Sequence, residues 1–235
     1  LTDNLPKALV PLAGKTLLQW QIERLKAAGI IEIVVNVHHF PDMIINYLRE
    51  NDNFGCRISV SDERDMLLET GGGLRKAQPL LSPSPRTLPL NRDLKEDPIL
   101  ICNVDILSNI DLKKLIDSHL QSGALATLAV RERTTSRYLL FERDTMRLCG
   151  WENVKSGEKR VEIPMQHEYP LGFSGIHVVR RDILDHIPAG QKLSMTPLYV
   201  GLAAQYLIQG YLHQHDNWMD VGKYEDVVKL MKMEF

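Results

Sequence analysis

The sequence predicts an α/β fold in one domain spanning residues 1–235, with a mostly parallel mixed sheet and helices on both faces. Three observations predict it. Apolar runs rich in β-branched residues alternate with segments whose apolar residues fall at helical spacing. Those runs are nearly continuous in apolar character, as in strands covered on both faces, and do not alternate as a half-wet strand does. Hydrophobic residues make up 44% of the 235, enough to bury a full core without disulfide staples.

The elements follow in order. Leu17, Leu18, Ile22, Leu25 and Ala28 form the inner stripe of a helix over 16–28, and Gly29 stops it. Ile31 to Val37 reads as a buried strand. Pro41 suits the first turn of a second helix ending at Arg49, with Met43, Ile44, Tyr47 and Leu48 inward. A short strand is expected at 57–60. Pro79, Pro83, Pro85, Pro89 and Pro98, set among charges, mark 82–98 as a loop inserted in the domain. Beyond it the pattern predicts a strand at 99–103, a helix at 112–120 and a strand at 124–130. Shorter strand pieces over 138–162 and a core strand at 173–179 come next. Helices are expected at 196–208 and 224–233.

Composition narrows the function. Lys and Arg total 28 against 30 Asp and Glu, a net charge of -2 that would attract neither nucleic acid nor an anionic membrane. The longest apolar run, around 29–37, is broken by Glu32 and Asn36 and is too short to cross a bilayer. Cys56, Cys102 and Cys149 are odd in number and widely spaced, which fits neither a disulfide framework nor a zinc site. A cytoplasmic location is expected. Nothing in the sequence fixes the oligomeric state.

Sheets of this class bind ligands beyond the carboxyl ends of their strands. Asp105 stands there, in Asn103-Val104-Asp105 directly after the apolar strand. A hard cation such as Mg²⁺ takes oxygen ligands and keeps waters and substrate phosphates, so one or two carboxylates suffice. Asp220, in Trp218-Met219-Asp220-Val221-Gly222, likewise ends a short apolar stretch, and the two could converge on one ion. Taken alone, each aspartate is read first as a helix cap or turn residue. Glu69-Thr70-Gly71-Gly72-Gly73 reads as a turn before a helix starting near Leu74. Glycines there allow a backbone to approach a flat or phosphorylated ligand, although taken alone they are read first as a plain turn between elements. Lys7, behind Pro6, could meet a polyphosphate as a point charge, or simply be solvated. His38 and His39 point to opposite faces, and His213 and His215 lack a third ligand, so these four read as structural.

Taken together and in order, these segments resemble the sugar-1-phosphate nucleotidyltransferases. Leu5-Pro6-Lys7-Ala8-Leu9-Val10-Pro11 with Gly14-Lys15-Thr16-Leu17-Leu18 is similar to that family's opening segment, whose lysine meets the triphosphate. Glu69 to Gly73 resembles its glycine turn beside the nucleobase and ribose, which implies nucleotide binding by Glu69, Gly71, Gly72 and Asn103. Asp105 and Asp220 match its two metal aspartates. Phe173-Ser174-Gly175-Ile176 resembles the strand lining its sugar pocket, implying sugar contacts from Ser174 and Gly175, with Glu162 added from Glu162-Ile163-Pro164.

The resemblance implies a Rossmann-like, glycosyltransferase-A-type three-layer sandwich. It implies an enzyme joining an NTP, UTP or GTP, to a sugar 1-phosphate, with Mg²⁺ as cofactor and Lys7, Asp105 and Asp220 as catalytic residues. A non-catalytic nucleotide-sugar sensor of the same fold is the alternative. A glycosyltransferase is a weaker third reading, because the Lys7 segment has no purpose in one. The sequence departs from the pattern in three places. It begins at Leu1-Thr2-Asp3, where the family already has a strand and a glycine-rich phosphate loop behind it, so both are expected to be missing before residue 1. Val104 replaces a common glycine, and Ile163 replaces the lysine of the sugar-site motif, so a contact to the sugar phosphate must come from elsewhere.

Overall fold

Residues 4–81 and 98–222 are described by a computed structural model. The helix expected at 224–233 and most of the loop expected at 82–98 lie outside them.

Pro6 starts a single 3-10 turn over Lys7–Leu9, closed by Leu9 N donating to Pro6 O at 2.9 Å and Val10 N to Lys7 O at 3.1 Å. A tight hairpin, β1 (Pro11–Leu12) and β2 (Lys15–Thr16), leads into α1 (Leu17–Ala27). The Thr16 hydroxyl caps that helix by accepting from Gln19 N at 3.1 Å, and Leu17, Leu18 and Ile22 are buried. β3 (Glu32–Val37) pairs in parallel with β4 (Arg57–Asp62), and α2 (Pro41–Glu50) connects them. Pro41 opens α2 as expected, and Ile44 and Leu48 are buried with Tyr47 packed against them, while Met43 is exposed. β3 is less covered than its apolar run suggests: only Val37 is buried, and among the described residues it bonds to β4 alone.

After α3 (Glu69–Ala77) come β5 (Pro98–Cys102), β6 (Ile106–Ser108), α4 (Leu112–Ser122) and β7 (Ala126–Arg131). β8 (Arg137–Glu142), β9 (Arg147–Asn153), β10 (Glu158–Val161) and the long β11 (Glu168–Arg180) follow, then α5 (Met195–Leu202), β12 (Ile208–Leu212) and β13 (Trp218–Asp220). The large sheet has seven strands in the order β10-β9-β12-β7-β11-β5, with β8 bridging β11 and β9. Three layers result. Leu128 and Val130 of β7 pack with Leu74 of α3 and Met195, Tyr199 and Val200 of α5. Ala129, on the other face of β7, packs with Leu112 and Leu115 of α4. Burial on both faces explains the unbroken apolar run of β7.

The mixed α/β class stands, but this sheet is mostly antiparallel, contrary to expectation. Among the described residues its one parallel pair is β7 with β12; β11 runs antiparallel to β5, β7 and β8. Tight turns at 143–146 and 154–157 join β8, β9 and β10, and such turns admit only antiparallel partners. A second difference lies at Ile208, expected at the end of a helix. α5 stops at Leu202, and Leu125 N donates to Leu207 O at 2.8 Å, drawing the chain into the sheet beside β7.

Three histidines are sealed in this core: His119 against the Thr127 hydroxyl, His177 against Tyr199 and His213 against Ser174. Burial pushes them from the ordinary 6.5 down to about 4, 3 and 4 respectively. Below pH 6.5 the unfolded chain takes up protons that the folded chain refuses until near pH 4. The stabilisation held by the neutral rings is therefore complete above about pH 6.5 and drains away as pH falls towards 4. Thermal unfolding should give a Tm clearly lower at pH 5 than at pH 7, and a Tm flat across that range would refute the burial argument.

Candidate active site

β5 ends at Cys102, and Asn103 N donates to Gly175 O at 2.9 Å, so β11 fixes the point where the chain leaves the sheet. The chain then turns through Val104 and Asp105 into β6. β13 pairs antiparallel with β6, placing Asp220 opposite Ile106, and Val221 N donates to Asp105 O at 2.9 Å. This short ladder brings together two carboxylates from distant parts of the sequence. Lys7, 98 positions from Asp105, completes the group: its Nζ lies 3.0 Å from Asp105 Oδ2.

Gly222 shows how closely they converge. A Cβ built there would lie 2.7 Å from Asp220 Oδ1 and 3.6 Å from both Asp105 Oδ2 and Lys7 Nζ. Both carboxylates and the ammonium thus open onto one space, and Gly222 N donates to Asp220 Oδ1 at 2.8 Å, orienting that carboxylate. The space belongs to a cavity of about 560 Å³ whose wall includes Lys7, Asp105, Arg133, Trp218 and Asp220. Its two carboxylates supply hard oxygen ligands, which fits a hard cation such as Mg²⁺; among the described residues the one sulfur in its wall is the Met219 thioether.

Arg133 was missed by the sequence reading. It lies just beyond β7, and its Nη2 donates to Phe173 O at 3.0 Å. Its guanidinium lies 4.8 Å from the Trp218 ring centre. Gly172 makes room for it, since a Cβ there would come within 2.6 Å of Arg133 Nε. Burial pulls its pKa below the ordinary arginine value, and Asp220 works in the opposite direction. The rule that found Asp105, a polar residue just past the carboxyl end of a buried strand, would also have found Arg133.

The remaining expected residues are placed differently. Asn103 is exposed and its side chain lies beside Gly175: a Cβ there would be 3.0 Å from Asn103 Nδ2. Gly175 holds a φ of +73°, which favours glycine. Ser174 has no exposed surface; its Oγ bonds His213 Nε2 at 2.7 Å and its carbonyl accepts from Trp218 Nε1 at 2.9 Å. Its hydroxyl is turned into the wall, where it bonds His213. Glu162 follows β10, pairs with Arg160, and does not line the cavity.

Glu69, Gly71 and Gly72 lie inside α3, not in a turn before it. Gly71 N and Gly72 N both donate to Leu193 O, at 2.7 and 3.1 Å, so these amides are already taken. The glycines are where the 191–193 backbone packs onto the helix. A Cβ on Gly71 would lie 2.9 Å from Leu193 O. Glu69 itself is exposed at the head of α3, 3.3 Å from Lys192 Nζ.

The family described as Nucleotidyl transferase matches residues 1–234. The N-acetylmuramate alpha-1-phosphate uridylyltransferase of Caulobacter vibrioides is 31% identical over 229 residues, covering 94% of this chain and 85% of that protein. The mannose-1-phosphate guanyltransferase of Candida albicans is 28% identical over 236 residues, covering 96% of this chain and 58% of that protein. Among solved structures, HddC from Yersinia pseudotuberculosis, complexed with GMP-PN, shares the fold with a TM-score of 0.72 at 18% identity, covering 99% of this chain and 91% of that one. With a match extending over nearly every residue and a fold that agrees with it, the chain belongs to the nucleotidyl transferase family.

Proposed function

We propose that this protein is a sugar-1-phosphate nucleotidyltransferase, condensing an NTP with a sugar 1-phosphate to give an NDP-sugar and pyrophosphate. The observation that carries the reading is the convergence of Lys7, Asp105 and Asp220 around Gly222. The names of its relatives favour UTP or GTP. An oxygen of the sugar phosphate bonds to the α-phosphorus, the bond from that phosphorus to the bridging oxygen breaks, and pyrophosphate leaves with the electron pair. No covalent intermediate on the protein is needed, and burial pushes the Cys102 thiol up to about 11, away from nucleophilic use.

Asp105 and Asp220 are assigned to a divalent cation, taken as Mg²⁺, which when bound neutralises phosphate charge and polarises the reacting phosphoryl group. Lys7 adds a mobile point charge for the triphosphate, and the Gly222 amide keeps Asp220 turned towards the shared space. Asn103 and Glu69, both exposed and polar, are assigned to the nucleotide. The three scattered cysteines support a cytoplasmic setting, and among the described residues no helix is long and apolar enough to cross a membrane.

The test is pyrophosphate release with Mg²⁺, each of UTP, GTP, CTP, ATP and dTTP, and a panel of sugar 1-phosphates. Release that requires one NTP and one sugar phosphate is expected. No release from any pair, with nucleotide-sugar binding retained, would replace the enzyme with a sensor of the same fold.

A further inference from the structure

The cavity holds two cationic side chains, and they differ in kind. The Lys7 ammonium is already matched by Asp105 at 3.0 Å. Arg133 forms no ion pair among the described residues. One of its nitrogens donates to the Phe173 carbonyl, and its Nε is buried with no hydrogen-bond partner. The Nε is packed against Gly172, so a ligand would meet the terminal nitrogens, whose charge Asp220 offsets in part; a guanidinium so placed suits an oxyanion able to accept more than one bond.

Its position narrows which oxyanion. Arg133 lies against Trp218, and Trp218 and Asp220, two apart on β13, project from the same face. Two strand steps are about 7 Å, so an anion gripped by Arg133 sits beside the carboxylate pair on the Asp220 side. Lys7 approaches the same pair from the Asp105 side. In-line displacement brings attacking and leaving oxygens to opposite sides of the reacting phosphorus, so the two anionic substrates need separate holds. Taking the nucleotidyltransferase reading above as its basis, we propose that Arg133 binds the phosphate of the sugar 1-phosphate and positions its attacking oxygen, leaving Lys7 to the NTP. The Phe173 carbonyl, the Trp218 ring and the space left by Gly172 are the means by which the fold holds that guanidinium still.

Arg133→Gln and Arg133→Lys test this, with Tm recorded for each. Arg133→Gln should raise KM for the sugar 1-phosphate by about 10- to 100-fold while KM for the NTP stays within about twofold. Arg133→Lys, which keeps the charge and the stem over Trp218 but not the planar fork, should fall between. A rise confined to the NTP, or shared equally by both substrates, overturns the assignment in favour of a triphosphate contact; unchanged values overturn it outright. A measurement on the unmodified protein covers a variant that fails to fold. Inorganic phosphate should inhibit competitively against the sugar 1-phosphate and not against the NTP, and the reverse pattern overturns the proposal. Calorimetric titration with inorganic phosphate needs no turnover, so it separates this idea from the enzyme reading. Binding to wild type that weakens at least about tenfold in Arg133→Lys supports the site even if no substrate pair reacts, whereas equal binding to both counts against it.

Discussion

Asp105→Asn is expected to lower kcat by about 100- to 1,000-fold while leaving the protein folded. The two side chains have the same shape, and the backbone bond from Val221 N to Asp105 O does not involve the carboxylate. What the substitution removes is one negative charge from the space shared with Asp220 and Lys7. The lost ion pair with Lys7 costs little, because the Lys7 and Asp105 side chains are 39% and 23% exposed and pairs of that kind contribute at most about 1 kcal/mol. Steady-state kinetics with a Mg²⁺ titration and a Tm together read the result. Near-normal turnover would remove Asp105 from the metal set, and a collapse of Tm would make its role structural.

Gly72→Ala should have the largest effect on stability, destabilising by about 1–3 kcal/mol or more. The added methyl would lie 2.9 Å from Leu68 Cβ and closer still to the Gln191 carbonyl oxygen, and neither belongs to a freely moving side-chain end. Gly201, exposed on α5, is the control: its Cβ would meet nothing nearer than Arg160 Nη2 at 3.9 Å. There the same substitution should stabilise by up to about 1 kcal/mol through helix propensity alone. Chemical denaturation of both variants measures the contrast. If Gly72→Ala keeps full stability but weakens nucleotide binding, the glycine serves a ligand and not the 191–193 segment.

That pair of variants also shows what the sequence could and could not convey. Apolar periodicity placed α1, α2, α4 and the core strands because burial on a helix face or between layers leaves a spacing in the chain. It could not reveal that the core strand β11 runs antiparallel to β5, β7 and β8, since a strand covered on both faces looks the same whichever way its neighbours point. Asp105 and Asp220 were legible because each ends an apolar stretch, yet only the ladder between β6 and β13 shows that they meet. The Gly71-Gly72-Gly73 run was legible as a close approach, but not what approaches; a ligand and a second piece of backbone demand the same missing side chain. Ser174 was tied to a sugar pocket by resemblance alone, which does not show where its hydroxyl points; His213, just past β12, bonds it inside the wall. Arg133 was overlooked because Arg131-Glu132-Arg133 has the look of a solvated charged stretch, and nothing local signals the Trp218 ring waiting for it.

The ladder carrying the two aspartates has one further consequence. Among the described residues β6 and β13 share three residue pairs, extended by Asn109 N donating to Asn217 O, and form a sheet separate from the seven-stranded one, to which Trp218 Nε1 ties them by donating to Ser174 O. Two-stranded ribbons of that length have little cooperativity of their own, whereas the large sheet melts as a unit. The spacing of the carboxylates is therefore expected to follow a local opening equilibrium, with warming separating the reactive groups before the core beneath them melts.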